Sequence, residues 1–448
     1  MNILVLNGSP KGKYSITLQT INFLSQKFPE ESFEVLNVGQ KIKSFERDIS
    51  PALEALEKAD LIIFSYPVYT FLAPYQLHRF IELIKENGID LSGKFATQIS
   101  TSKHFYDVTA HRYIQDNCCD LGLEYIKGLS ADMDDLLTEK GQKEAIDFFK
   151  YVKFCIKENI FEKPSVKSIE AKHIPVTIPE NSGEKTGDIV ILTNCEENDS
   201  QLKNMIDRFI SISPRLVRVV NIGEYPFKGG CLGCLECAVS GKCVYKDGFD
   251  DFLRNTIQSA EAIITAFTIK DHSMGASFKL YDDRQFCNGH RAVTMGMPMG
   301  YLISGNYSEE FNLQMIVEAR AQVGGNLLAG VATDETNPDK EISKLVSSLE
   351  YALENKYVQP QNFYGVGGTK IFRDLIWIMQ GMMKADHKFY KAHGQYDFPQ
   401  KKRGMMIAMY LVGGMLSNPK IKAKMGNKMN EGMLMPYKKL LDNNKNNK

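Results

Sequence analysis

The sequence predicts an α/β protein built as two tandem, doubly wound parallel-sheet domains with an α-helical C-terminal extension. Three observations carry that expectation. Apolar runs of strand length alternate with stretches whose apolar residues recur at helical spacing, the pattern of βαβ units. The pattern is written twice: NILVLNGSPKGKYSITLQTI, from Asn2, has a counterpart in DIVILTNCEENDSQLKNMI, from Asp188. Residues 359–448 then abandon it for a basic, methionine-rich stretch with helical periodicity.

Composition sets wide bounds. With 43% hydrophobic and 24% charged residues, the 448-residue chain has the make-up of an ordinary globular protein with more than one core. Its 54 Lys and Arg balance 54 Asp and Glu, so net charge points to no partner. The distribution is uneven: residues 361–448 hold 16 basic against 5 acidic side chains and 11 of the 19 methionines. Nine cysteines, odd in number and clustered, argue against a secreted disulfide framework. The chain opens on an apolar strand rather than a leader, so a cytoplasmic location is expected.

The first domain is expected over residues 1–160. Its opening strand, NILVLN, runs into the loop GSPKGKYSIT (residues 8–17) and then an amphipathic helix. A second strand ends at EVLNVG; a third, LIIFSYP, runs into the aromatic loop SYPVYTFLAP (residues 65–74); a fourth precedes STSKHFYD (residues 100–107). Ligands of open parallel sheets bind beyond the C-terminal ends of the strands, where these three loops emerge. The first offers Lys11, the hydroxyls of Ser9, Ser15 and Thr17, and the positive end of a helix, which suit a phosphate dianion. The second gathers Pro67, Val68, Tyr69, Thr70 and Phe71 into an apolar slot fit for a planar ring. The third adds Ser100, Thr101, Ser102, Lys103 and His104. Singly, each is as readily a plain turn or a core edge; together, at the correct strand ends, they make a candidate site.

Residues 161–185 are polar, with Pro164, Pro175 and Pro179, and read as a linker. The second domain, residues 186–358, repeats the first: VRVVNIG answers EVLNVG, and SAEAIITAFTIK answers EKADLIIFSYPVY. Asn37 and Asn221 are 184 positions apart, Ala59 and Ala260 are 201, so the second copy carries about 17 extra residues in between. That is close to the length of KGGCLGCLECAVSGKCVYKDG, which holds Cys231, Cys234, Cys237 and Cys243 in a C-x2-C-x2-C-x5-C array. Two-residue gaps turn successive sulfurs toward a common point, which suits a metal or cluster. Zinc usually asks for two more widely separated C-x2-C pairs, and a glycine-rich cysteine loop with nothing bound is the remaining reading. The phosphate loop of this copy is TNCEENDSQ, whose Glu196, Glu197 and Asp199 would oppose a phosphate. Its aromatic loop is TIKDHSMG, with Thr268 and Lys270 where Pro67 and Tyr69 stand, so no ligand of the phosphate-and-ring type is expected there.

The first ~160 residues resemble the flavodoxin-like NAD(P)H-dependent FMN reductases, on the GSP…S-x-T loop and the P-x-Y loop. The resemblance implies that Ser9, Ser15, Ile16 and Thr17 hold the FMN phosphate. It implies that Pro67, Val68, Tyr69, Thr70 and Phe71 border the isoalloxazine and that residues 100–104 cover its other edge. Ile16 departs from the asparagine usual in that family. The cysteine segment resembles that of the iron–sulfur flavoproteins, a branch of the same group, which implies a [4Fe–4S] cluster on its four cysteines. In that branch flavin and cluster meet across a dimer interface, so an internal pseudo-dimer, or a homo-oligomer, is expected.

Function follows as an expectation. The chain reads as an NAD(P)H-dependent FMN oxidoreductase passing electrons, by way of the cluster if one is present, to an unknown acceptor. Tyr69, Lys103 and His104 are the candidates for orienting donor or acceptor. The rival reading is a non-enzymatic flavin and iron–sulfur electron carrier; a third is a scaffold holding zinc. Cys118 and Cys119 read as helix packing, and residues 287–290 (CNGH) as a loop rather than ligands. The tail reads as helices packed on the domains, with a patch for a membrane surface or an acidic partner as the alternative; its longest apolar run, residues 404–416, is too short to span a bilayer. It carries no nucleic-acid recognition motif.

Overall fold

The apolar runs become two parallel sheets whose central strands are buried on both faces, as parallel sheets covered by crossover helices require, while the edge strands remain partly exposed. The computed structural model describes residues 1–163, 173–180, 183–421, 431, 434, 435, 437, 438 and 440–442. In the first sheet the strands are β1 (Asn2–Asn7), β2 (Ser32–Leu36), β3 (Leu61–Pro67), β4 (Phe95–Ser102), β5 (Glu124–Tyr125) and β6 (Leu129–Asp132). The helices around it are α1 (Ile16–Lys27), α2 (Val38–Phe45), α3 (Ser50–Lys58), α4 (Tyr75–Glu86), α5 (Asp107–Asp120) and α6 (Glu139–Glu158). The order is β2-β1-β3-β4-β5, with β6 also on β4, and every pairing is parallel.

The second sheet holds β7 (Thr186–Thr193), β8 (Arg215–Asn221), β9 (Ala262–Thr268), β10 (Pro298–Ser304) and β11 (Leu327–Thr333). Around it lie α7 (Ser200–Ile212), α8 (Glu236–Ser240), α9 (Phe249–Phe252), α10 (Gly275–Arg284), α11 (Phe311–Gly324) and α12 (Pro338–Asn355). Its order, β8-β7-β9-β10-β11, is the same as the first when counted within the domain. Both are therefore flavodoxin-like, with a switch point between the first and third strands. Strand alternation divides each core into two layers. Ile3, Val5, Leu61 and Ile63 face α1 and α6, whereas Leu4, Leu6, Ile62 and Phe64 face the other side.

The extension contains α13 (Phe363–Ile378), α14 (Lys384–Ala392) and α15 (Arg403–Leu416). The single amphipathic helix read from IFRDLIWIMQGMMKADHKFY is divided between α13 and α14 by a turn containing Gly381, a residue that costs a helix interior about 1 kcal/mol. Residues 1–389 form one compact unit with both sheets; Tyr390–Lys448 form another. Of the expected linker, residues 164–172, 181 and 182 lie outside the described residues. Residues 173–180 run along the second domain: Ile174 N–H donates to the Asp334 carbonyl at 2.9 Å and Thr177 N–H to Asp339 Oδ1 at 2.9 Å.

The two domains meet through α4 against α10 and α5 against α11. The contact is reciprocal. Tyr75 N–H, at the start of α4, donates to Asp283 Oδ2 of α10 at 2.8 Å, and Ala276 N–H, at the start of α10, donates to Glu82 Oε1 of α4 at 2.7 Å. Tyr75 and Ala276 are equivalent positions in the repeat, as are Glu82 and Asp283. Each helix thus caps the other's open N-terminus with a carboxylate. Ile316 and Ala319 of α11 belong to the same buried cluster as the first domain's α4 and α5.

Candidate functional site

The phosphate-type loop is built on Asn7 at the end of β1. Its buried amide donates to the Gly12 carbonyl at 3.2 Å and to Asn37 Oδ1 at 3.0 Å, and accepts from Ser9 N–H at 3.2 Å. Ser15 caps α1, its hydroxyl accepting from Leu18 N–H at 3.4 Å. Ser9, Ser15 and Thr17 are buried, whereas Ile16 turns outward. The first-turn N–H groups of α1 have no intrahelical acceptor and point into this loop, so donor set and helix polarity fit a phosphate dianion. Gly39 of α2 lies against the loop: a Cβ there would fall 2.3 Å from the Ser9 carbonyl carbon and oxygen.

The aromatic loop turns tightly after β3. Tyr69 and Leu72 exchange backbone hydrogen bonds of 2.8 and 3.1 Å, with Thr70 and Phe71 both at positive φ, 45° and 71°. This two-residue turn needs left-handed backbone at both central positions, and no glycine relieves it. The third loop is tied to the first by a 2.5 Å hydrogen bond between the Thr17 and Thr101 hydroxyls. Ser100 Oγ meets His111 Nε2 at 2.8 Å, and Ser102 Oγ accepts from His104 N–H at 2.9 Å. Lys103 Nζ lies 2.6 Å from Asp132 and 2.8 Å from Asp134. Partial burial opposes its charge, but those carboxylates outweigh it and hold the ammonium above its usual range. His104 Nδ1 is 2.7 Å from Asp107 Oδ2, which also accepts from Ser130 Oγ at 2.6 Å. Burial pushes Asp107 up; the bonds from Ser130 and His104 prevail and keep it ionised.

The second domain grips the aromatic turn. Lys279 of α10, fully buried, donates to the Tyr69 carbonyl at 2.8 Å and pairs with Asp283. Arg320 of α11 reaches the Thr70 carbonyl at 3.5 Å, stacks over Phe71 at 5.1 Å and pairs with Asp282. Burial pushes the Asp283 carboxyl up to about 6, against the attraction of Lys279. The equivalent turn of the second copy, residues 270–273, has the same two hydrogen bonds, 2.9 and 3.0 Å, and the same positive φ at Asp271 and His272. Its chemistry is different. Asp271 pairs with Lys85 at 2.9 Å, and His272 bridges Asp120 at 3.0 Å and Glu310 at 2.9 Å. A loop read from sequence as a worn ring slot is an ionic clasp on the first domain.

The cysteine loop sits on the same turn. A Cβ on Gly233 would meet Tyr69 Oη at 2.0 Å and Lys11 Cε at 3.3 Å, and one on Gly230 would meet Tyr75 at 2.8 Å. Burial, then the neighbouring Cys231, Asp283 and Cys234, push the Tyr69 phenol well up, so it stays protonated. As folded, the four cysteines do not converge as a ligand set. Among the described residues no three His, Cys, Asp or Glu side chains gather closely enough to hold a metal ion. Burial pushes Cys231 up strongly and Cys237 up to about 11, so both are thiols here.

Sequence reading missed an aromatic wall assembled from four parts of the chain. Tyr69 meets Phe286 at 5.8 Å, Phe286 meets His290 at 6.2 Å, His290 meets Phe372 of α13 at 4.6 Å, and Phe372 meets Phe105 at 4.2 Å. Phe105 closes the arc on Phe71 at 5.2 Å. His290 is held by Asp386 at 2.9 Å. The aromatic content of residues 286–290 was the available signal, but nothing in the spacing ties it to Tyr69. On the second domain's own loop edge, Asp199 replaces Ser15 as the helix cap, accepting from Leu202 N–H at 3.2 Å and from the Thr268 hydroxyl. A carboxylate thus occupies the position where the first copy offers donors.

Fold and loops together define a tandem flavodoxin-like protein. Residues 1–110 match the family model of the flavodoxin-like fold. An iron-sulfur flavoprotein of Archaeoglobus fulgidus is 27% identical over 175 residues, 37% of this chain and 78% of that protein. Among solved structures, an FMN-dependent NADH-azoreductase from Bacillus anthracis in complex with FMN is 14% identical, covering 36% of this chain and 100% of that one, with a TM-score of 0.27. An NAD(P)H:quinone oxidoreductase from Methanothermobacter marburgensis is 12% identical, covering 36% and 97%, with a TM-score of 0.28. The family model and the Archaeoglobus relative fit the family that the loop motifs resemble: the flavodoxin-like FMN reductases and iron–sulfur flavoproteins.

Proposed function

We propose that the protein is an FMN-dependent NAD(P)H oxidoreductase whose flavin site lies in the first domain and is completed by the second. The observation that carries this is the convergence of three loops at the switch point of the first sheet, two of them tied through Thr17 and Thr101. Ser9, Ser15 and the first turn of α1 bind the phosphate, with Lys11 alongside and Ile16 contributing only its backbone. Pro67, Val68, Tyr69, Thr70 and Phe71 wall the ring on one side, and Ser100, Thr101 and Ser102 border it on another. When bound, FMN supplies hydride acceptance from a nicotinamide and electron delivery to an acceptor.

The chain's own contribution is placement and exclusion of water. Lys279 and Arg320 hold the turn, and the arc of Phe105, Phe286 and Phe372 shelters it. His104 donates its Nδ1 proton to Asp107, leaving Nε2 to accept a hydrogen bond from the donor or the acceptor. Lys103, engaged by Asp132 and Asp134, fastens the third loop, and protonated Tyr69 orients a polar group of the substrate. The nine cysteines, none joined in a disulfide, fit a reducing cytoplasm.

A [4Fe–4S] cluster on Cys231, Cys234, Cys237 and Cys243 is the finer reading. It rests on their spacing and on the name of the Archaeoglobus relative, and it requires the thiols to close up from their present arrangement. The test is anaerobic purification, FMN loading and titration with NADH and NADPH, with iron and sulfide measured on the same sample. Bleaching of the flavin by either nicotinamide supports the oxidoreductase. Bound flavin indifferent to both leaves the electron-carrier reading, and failure to retain FMN overturns the proposal. About four irons per chain support the cluster; none leaves the loop as a wall of the flavin site.

A further inference from the structure

Helix α15 is apolar on every side and almost wholly uncovered. Met405, Ile407, Met409, Tyr410 and Leu411 expose 58–81% of their surfaces. The pairs Met405–Met409, Met406–Tyr410 and Ile407–Leu411 point roughly 100° apart around the axis, so no polar face exists. A helix of this kind is ordinarily buried in a core or in lipid. A protein groove covers one face of a docked helix and leaves the other in water; here the other face is as apolar as the first.

Charge indicates which apolar medium. Residues 398–430 contain seven Lys and Arg and no Asp or Glu. Lys401, Lys402 and Arg403 stand at the N-terminus of α15 and Lys420 lies just beyond its C-terminus. Cations at a helix N-terminus oppose the macrodipole, so this cluster does not serve the helix itself. Basic residues at both ends fit a helix lying along an anionic surface with both ends at the headgroups. Fourteen residues reach about 21 Å, short of the ~30 Å hydrocarbon layer. No helix among the described residues is long and apolar enough to cross a membrane.

We propose that α15 is a monotopic anchor that sinks beneath the headgroups into one leaflet of an anionic lipid surface, its basic ends reaching back to the headgroups. The apolar side chains enter the lipid, and Lys401, Lys402, Arg403 and Lys420 pair with lipid phosphates. The test is flotation of the full chain with phosphatidylcholine vesicles and with phosphatidylcholine–phosphatidylglycerol vesicles, at low and high salt. Binding to the anionic vesicles is expected to exceed that to the neutral ones by at least about tenfold and to fall with salt. The Ile407→Asp/Leu411→Asp variant and the Lys401→Glu/Lys402→Glu/Arg403→Glu variant are each expected to lower it by at least about tenfold. Both should retain the parent's circular dichroism and flavin content. A chain that stays unbound with both vesicle types overturns the proposal, as does binding that neither variant changes. Light scattering that shows a dimer abolished by the aspartate variant also overturns it, and assigns the helix to a second copy of the chain.

Discussion

At the residue scale the interface depends on charges taken out of water. Lys279 is fully buried between Asp282, Asp283 and the Tyr69 carbonyl. Removing one member of such a set leaves the others uncompensated, so Lys279→Met should destabilise the protein by about 3–5 kcal/mol in urea unfolding. It should also weaken FMN retention, because the turn loses its anchor. His272 makes a pH prediction. Burial opposes its charge, but Asp120 and Glu310 raise its pKa from 6.5 to about 10. A raised folded pKa means that its stabilisation is fully present below pH 6.5 and is lost as pH rises toward 10. Asp120, pushed up by burial but drawn down to about 2 by His272 and Lys85, contributes above its usual 3.8 and loses that contribution as pH falls to about 2. The stability gap between the parent and His272→Gln should therefore be widest between those limits, near pH 4–6.5, and close at alkaline pH. Equal gaps at pH 6 and pH 10 would contradict this. None of it was legible in the sequence, where a lysine or a histidine in a polar stretch reads as solvated; only a partner from another domain makes burial tolerable.

At the element scale the three loops of the first sheet were legible, because strand ends and loop chemistry are local properties. The packing that seals them is not local. Gly39 lies in α2 and Gly233 in the cysteine loop, and nothing local to either sets it against Ser9 or Tyr69 as the fold does. Gly39→Ala must displace the Ser9 carbonyl, a contact of 2.3 Å, and should lower FMN affinity by at least about tenfold, measured by flavin fluorescence, while costing about 1–3 kcal/mol of stability. Gly233→Ala adds a Cβ 2.0 Å from Tyr69 Oη at a φ of +61°. It should raise KM for the nicotinamide donor more than it lowers kcat if the loop only positions Tyr69. The second copy's turn shows the limit of reading a repeat by substitution: loss of Pro67 and Tyr69 equivalents signalled a lost slot, whereas the backbone geometry survived intact and was given another task.

At the scale of the whole molecule, the first domain is unfinished without the second. Along α4, Leu77, Phe80, Ile81, Leu83 and Ile84 are all buried, and so are Tyr113, Ile114 and Cys118 along α5. One side of each helix faces its own sheet and the other faces α10 or α11. Residues 1–163 produced alone should self-associate through these faces, giving a dimer or larger species by light scattering. A stable monomer that retains FMN would show that the second domain is dispensable. The duplicated fold was legible because periodicity repeats with the sequence. The reciprocal capping was not, since it depends on two helices 201 positions apart meeting head to tail.

The reciprocal carboxylate caps have one more consequence, which concerns descent. Two separate identical subunits cannot alter one side of a twofold contact without altering the other, because a single gene encodes both. Once the copies are joined, each half mutates independently. The turns at Thr70–Phe71 and at Asp271–His272 share one backbone geometry, yet only the second carries an ionic fastening. The caps at Tyr75 and Ala276 keep a twofold pattern that the two turns do not.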